Sequence, residues 1–151
     1  FTDQCIDAGK AAGRDMWGYR SMAAAPAYFG DKRRAIEAVR WFPAMVGNHV
    51  ADIVEKYGAD SGQVPKSLTS YIEQRRGYDY SKHGQADNPF LDFITDDVVE
   101  SFCVLGEPED HVRKMHELKA AGVTQFNIYL DSGDEEEIIA CYGRHVIPAF
   151  R

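Results

Sequence analysis

Cationic charge is scarce in this chain: 17 Lys and Arg stand against 24 Asp and Glu, a formal net charge of −7. A surface of that sign repels phosphate backbones and anionic bilayers, which argues against nucleic acid or a membrane as the main partner. Beyond Lys82 no Lys or Arg appears before Arg113. Long apolar runs are missing too. None reaches the roughly 20 residues that cross a bilayer, and no signal-peptide pattern opens the chain. Cys5, Cys103 and Cys141 are odd in number and far apart, so they read as reduced core residues of a cytoplasmic protein, not a disulfide framework. There is no Gly-rich phosphate loop, no Gly-x-Ser-x-Gly, no zinc-type His/Cys spacing and no His-Glu-x-x-His. No metal site is expected, and the catalytic residues stay unassigned.

What is present is clearest toward the C-terminus. Gly106-Glu107-Pro108-Glu109-Asp110 reads as a helix start, with a proline whose missing N–H costs nothing there and acids at the positive end of the dipole. Val112, Met115 and Leu118 recur at helical spacing, and Gly122 supplies a left-handed stop. Phe126, Ile128 and Leu130 alternate with Gln125, Asn127 and Tyr129, the period of a strand over residues 125–130. Asp131-Ser132-Gly133-Asp134 caps a further helix, closed by Pro148, whose first-turn acids Glu135, Glu136 and Glu137 suit its dipole better than a cation. A strand flanked closely by helices is the grammar of a parallel α/β sheet.

Upstream, residues 1–15 read as the closing turns of a helix stopped at Gly13, which suggests a chain cut from something longer. Residues 19–28 read as a buried strand, irregular at Pro26, that runs into Phe29-Gly30-Asp31. Asp31 caps the longest helix. Its stripe of Ile36, Val39, Pro43, Val46, Val50, Ile53 and Tyr57 is widened by Trp41, Phe42 and Met45, with a kink about one turn before Pro43. His49, beside the stripe, reads as a core histidine. Pro65 opens a shorter helix, residues 78–89 form an irregular loop, and Thr95-Asp96-Asp97 caps a short helix carrying Val98, Val99 and Phe102. The chain is thus one segment, 1–151, with a helical and loop insertion at 59–101. His111 and His116 lie on different faces of their helix and read as exposed. Two strands cannot make an independent parallel sheet, so further strands must come from upstream or from a partner.

One polar and aromatic constellation is dense: Arg75, Arg76, Tyr78, Tyr80, Lys82 and His83. It suits an anionic ligand, with guanidinium on carboxylate or phosphate and tyrosine on a flat ring. It reads equally as a solvated helix end followed by a surface loop. Lys32-Arg33-Arg34 is either an exposed helix start or a phosphate contact.

Phe102-Cys103-Val104-Leu105-Gly106-Glu107-Pro108-Glu109-Asp110-His111, followed by Leu118-Lys119-Ala120-Ala121-Gly122-Val123-Thr124-Gln125-Phe126, resembles the closing segment of luciferase-like flavin- or deazaflavin-dependent oxidoreductases. Val146-Ile147-Pro148-Ala149-Phe150 is similar to the way those chains end. Ala38-Val39-Arg40-Trp41-Phe42-Pro43, Gly47-Asn48-His49-Val50 and Arg76-Gly77-Tyr78-Asp79-Tyr80 with His83-Gly84 resemble the deazaflavin subgroup, close to methylene-tetrahydromethanopterin reductase-like proteins. The resemblance covers nearly the whole chain.

It implies a (β/α)8 TIM barrel of roughly 250 residues or more. This chain would be its C-terminal fragment: the last two strands, residues 19–28 and 125–130 as strands seven and eight, with their helices and the insertion. It also implies an enzyme, a homo-oligomer, that moves a hydride between coenzyme F(420), or secondarily FMN, and a small-molecule substrate, the cofactor doing the chemistry. Arg75, Arg76, Tyr78, Tyr80, Lys82 and His83 become the expected cofactor or substrate contacts, with Arg20 and Asp31 as further mouth residues. The competing expectation is a non-catalytic helical fragment that docks through the apolar face running from Ile36 to Tyr57.

Overall fold

One strand holds the molecule together. In the computed structural model, which describes residues 2–47, 49 and 94–151, β1 (Met22–Phe29) pairs in parallel with both β2 (Val104–Gly106) and β3 (Gln125–Tyr129), giving a sheet of order β2-β1-β3. Helix α1 (Thr2–Ala11) precedes β1, and α2 (Lys32–Val39), a helical stretch at 41–47 and α3 (Asp96–Phe102) lie between β1 and β2. Helix α4 (Pro108–Ala120) links β2 to β3. After β3, α5 (Glu135–Cys141) widens into a π turn, Tyr142–Val146, and ends in a 3-10 turn, Ile147–Phe150.

The register explains why a proline is tolerated in a central strand, where it would ordinarily remove a ladder bond. Met22 to Pro26 face Gln125 to Tyr129, whereas Ala27 to Phe29 face Val104 to Gly106. Pro26 stands where pairing passes from β3 to β2. At the other end, Ser21 and Thr124 tie the two strand starts together. Ser21 N–H donates to Thr124 Oγ1 at 3.0 Å, Thr124 Oγ1 donates back to Ser21 O at 3.0 Å, and Ser21 Oγ donates to Gly122 O at 2.6 Å.

Alternation along the strands divides the core in two. Ala27, Phe29, Val104, Phe126 and Ile128 pack with Val112 and Met115 of α4 and with Ile138, Tyr142 and Val146 of the terminal helix. Tyr28, Cys103 and Leu105 pack with Ile36, Val39, Phe42, Val98 and Val99. The β1-to-β2 and β2-to-β3 connections therefore cover opposite faces of the sheet.

The strands expected at residues 19–28 and 125–130 are extended and paired with each other, the first beginning only at Met22. The third strand, β2, was not expected. The helix that Asp31 caps breaks at Arg40 and resumes at 41–47, one turn before Pro43, as a ring lacking an N–H requires. Ile36, Val39, Trp41, Phe42 and Ala44 are buried inside the chain, which removes this part of the stripe from any docking role. His49 is exposed, not a core histidine. Thr95 precedes α3 without a side-chain cap bond among the described residues. Of the insertion expected at 59–101, residues 59–93 lie outside the described residues, and its end carries most of α3.

The Gly-x-Pro-Glu element has a definite mechanical reason. Glu107 and Asp110 form a reciprocal capping box, in which Asp110 Oδ2 accepts the Glu107 N–H at 3.0 Å. Gly106, at φ +119°, leaves room for that carboxylate; a Cβ there would lie 2.5 Å from Asp110 Oδ2. Gly106→Ala should therefore lower stability by roughly 1–3 kcal/mol in urea unfolding. Combined with Asp110→Ala, the loss should be clearly less than additive, because both changes dismantle the same cap.

Candidate functional site

Where the strand order of an open parallel sheet reverses, the crevice beyond the carboxyl ends of the strands is the natural ligand position. Here that crevice lies between the ends of β1 and β3. Tyr28, only 5% exposed, donates its hydroxyl to the Asp134 carboxylate. Arg34 Nη2 lies 3.1 Å from Asp134 Oδ2, and its guanidinium carbon sits 5.8 Å from the Tyr28 ring centre. Burial raises the Tyr28 pKa, and the bond to Asp134 raises it further. The phenol thus stays protonated and remains the donor. Asp134 stands at the N-cap of α5 but makes no side-chain cap bond among the described residues; Glu135 accepts the Gly133 N–H instead, at 2.8 Å. The Asp31 carboxylate caps α2, accepting Arg34 N–H at 2.8 Å. Between Asp131 and Asp134, Ser132 Oγ is buried with no hydrogen-bond partner among the described residues. An orphaned buried hydroxyl is costly, which makes it a natural partner for a ligand oxygen.

Beneath this cluster lies His111, which is 0% exposed. Its ring stacks on Phe29 with centroids 3.9 Å apart, Nδ1 is 3.0 Å from Tyr142 Oη, and Nε2 is 3.3 Å from the Tyr28 carbonyl. Burial pushes its pKa down from 6.5 to about 4, against the opposing pull of the Tyr28 and Gly106 carbonyls and the Asp110 charge. The expectation of an exposed His111 is overturned, whereas His116 is exposed and packs against Phe150 at 4.6 Å between ring centres. Position 111 shares a helix face with Met115 and Leu118 at steps of four and three, so a burial signal was present in the spacing.

A second concavity, about 240 Å³, is lined by Lys32, Glu100, Asp110, Arg113, Lys114 and Glu117 beside β2. Its cations are already matched: Lys32 with Glu100 at 2.8 Å, Arg113 with Asp110 at 2.7 Å and Lys114 with Glu117 at 3.5 Å. A cavity with three cations and three anions has no net field to draw an anion. The strand-end cluster is the better candidate.

Of the residues expected at the mouth, Asp31 is there. Arg20 is exposed but precedes β1, at the end of the strand opposite Asp31. Arg75, Arg76, Tyr78, Tyr80, Lys82 and His83 lie outside the described residues. Tyr28, Asp134 and His111 were missed as site residues, and Arg34 was read either as a helix-start charge or as a phosphate contact. The Tyr28–Asp134 bond spans 106 residues of sequence, and no local pattern announces such a pair.

The family model for luciferase-like monooxygenases matches residues 3–125. The chain belongs to that family. It is 29% identical over 124 residues to a 5,10-methylenetetrahydromethanopterin reductase of Methanopyrus kandleri, a match covering 80% of this chain and 32% of that protein. It is also similar to the solved structure of the coenzyme F420 dependent tetrahydromethanopterin reductase from Methanopyrus kandleri, at 26% identity and a TM-score of 0.60. That similarity covers 95% of this chain and 39% of the solved one. The chain therefore spans about a third of the curated relative's length. Among the described residues, no helix is long and apolar enough to cross a membrane.

The buried imidazole fixes a pH dependence. Well above pH 6.5, His111 is neutral whether the chain is folded or not and contributes no slope. As pH falls from 6.5 toward 4, the unfolded chain takes up a proton that the folded one resists, so stability drops by on the order of 3 kcal/mol and then levels off. Urea unfolding between pH 7.5 and 4 should show this excess loss in the wild type relative to His111→Phe, in which the shared carboxylate titrations cancel.

Proposed function

We propose that this chain forms part of a deazaflavin-dependent oxidoreductase, in which a hydride passes between coenzyme F420 and a small organic substrate. The observation that carries the reading is the likeness, over 95% of the chain, to a reductase described as dependent on that coenzyme. FMN is the second choice of ring. The strand ends supply suitable chemistry: Ser132 Oγ is free to pair with a cofactor oxygen, and Arg34 and Asp134 form a fixed dipolar pair beside it. When bound, the coenzyme would supply the hydride-carrying ring, and the protein would supply position and electrostatics. Tyr28 holds Asp134 against Arg34, Asp31 orients the start of α2, and half-buried Phe29 and buried Tyr28 pack on opposite faces of the strand. Arg75, Arg76, Tyr78, Tyr80, Lys82 and His83 are assigned to the cofactor tail or the substrate.

In this reading the chain works inside a longer α/β fold, which the state of β3 supports, although the order β2-β1-β3 is not the sequential order of a (β/α)8 barrel. None of its five residues is buried, whereas parallel strands are ordinarily covered on both faces. Beside it runs an apolar groove of about 760 Å³ lined by Met115, Leu118, Phe126, Ile128, Ile147 and Phe150 among others.

Titrating the intact protein with F420 and with FMN, followed by fluorescence quenching, tests the assignment. Saturation by F420 with a Kd of about 1–10 μM is expected, with FMN at least about tenfold weaker. Asp134→Asn should weaken F420 by about tenfold, and Arg20→Ala, at the far end of β1, should leave it unchanged. No binding of either cofactor at about 100 μM would overturn the proposal.

A further inference from the structure

The sheet is pinned from below at the point where the cluster stands above it. His111 faces the α4 side of β1 with Phe29, while the Tyr28 side chain lies on the other side of the strand. A carbonyl can only accept, so Nε2, 3.3 Å from Tyr28 O, must carry the proton. In a neutral ring Nδ1 is then an acceptor, and the Tyr142 hydroxyl, 3.0 Å away, must donate to it. One directed chain results: Tyr142 Oη–H to His111 Nδ1, His111 Nε2–H to the Tyr28 carbonyl, and from the same residue Tyr28 Oη–H to Asp134, where Arg34 closes it. The chain begins on the first residue of the π turn, a helical irregularity that recurs at functional sites.

We propose that His111 is a positioning residue: as the Nε2-protonated neutral tautomer it fixes the Tyr28 backbone and thereby sets the Tyr28–Asp134–Arg34 geometry at the strand ends. Core filling alone would be met by an apolar side chain, as at neighbouring Val112 and Met115. A fully buried imidazole whose two nitrogens both have partners does more than fill space. The ligand that the cluster receives rests on the oxidoreductase reading above; the positioning role does not.

Nitrogen-15 NMR of the histidine rings at neutral pH should show His111 protonated at Nε2 and bare at Nδ1. The opposite tautomer or a charged ring would overturn the proposal. In His111→Phe, which keeps the stack on Phe29 but donates nothing, the Tyr28 ring-carbon and Arg34 guanidinium signals should move toward those of Asp134→Asn. In His111→Gln, which restores an N–H donor, they should return. A residue that merely fills the core would lower the unfolding midpoint in His111→Phe and leave both signals in place, and that result would also overturn the proposal. If His111→Phe does not fold, Tyr142→Phe takes its place with the same two outcomes, since it removes the start of the chain. F420 titration adds a separable arm. A roughly tenfold loss of affinity in His111→Phe, recovered in His111→Gln, extends the role to ligand binding. Failure of the wild type to bind F420 counts against the oxidoreductase reading alone, with the NMR outcomes still deciding the role of His111.

Discussion

The parallel pairing of β1 with two partners is the constraint on which the rest depends. β1 meets β3 over its first five residues and β2 over its last three, so both later strands take their register from it. Its ends are held by different chemistry. The start is fixed by reciprocal bonds between Ser21 and Thr124, and the finish by a buried imidazole against the Tyr28 carbonyl. Small residues make the dual role possible. Ala25 and Ala27 let helices approach closely, and Tyr28, just before the last residue of the strand, reaches past the strand end to Asp134. A strand fixed at both ends and covered on both faces can present a polar cluster with little freedom to deform.

The energetics of that cluster follow from its burial. Arg34 and Asp134 are partly solvated, so their ion pair alone contributes no more than about 1 kcal/mol. The Tyr28 hydroxyl is different, because a buried donor left unpaired costs about 1–3 kcal/mol. It is the tyrosine, more than the arginine, that obliges Asp134 to stay where it is. Asp134 makes no cap bond to α5 among the described residues; its carboxylate is turned toward Tyr28 and Arg34 instead.

The elements legible in the sequence are those specified by neighbours in the chain. Pro108, the Glu107–Asp110 box and Gly122 at φ +87° delimit α4, and the alternation from Gln125 to Tyr129 marks β3. The helix that begins as α2 breaks at Arg40, where Pro43 demands it. What escaped was either too short or too distant. β2 has three residues, fewer than any period needs to show itself. Asp134 looked like an N-cap because Asp is a good one, and only the fold brings Tyr28 to it. His111 was misjudged for another reason. Standing on a different face from His116 says nothing about burial, whereas its spacing to Met115 and Leu118 already placed it on the apolar face.

The asymmetry between β1 and β3 bears on how the cluster works. Both strands are parallel members of one sheet, but β1 is buried through Ala25, Pro26, Ala27 and Tyr28 and β3 nowhere. Ile139, at 57% exposure, and Ile147, at 46%, lie along the same uncovered flank. Apolar surface of that extent beside a parallel strand is unfavourable in water unless something covers it. The solved reductase, of which this chain matches 39%, has the further length that a covering layer requires. Under the oxidoreductase reading, β3 is then the member whose burial depends on the remaining fold. Ser132 and Asp134 follow β3 directly, whereas Tyr28 and His111 are set by contacts within the described residues. In that reading Ser132, which has no partner of its own among the described residues, is the member of the cluster that covering β3 would position, while Tyr28 and Arg34 already hold Asp134.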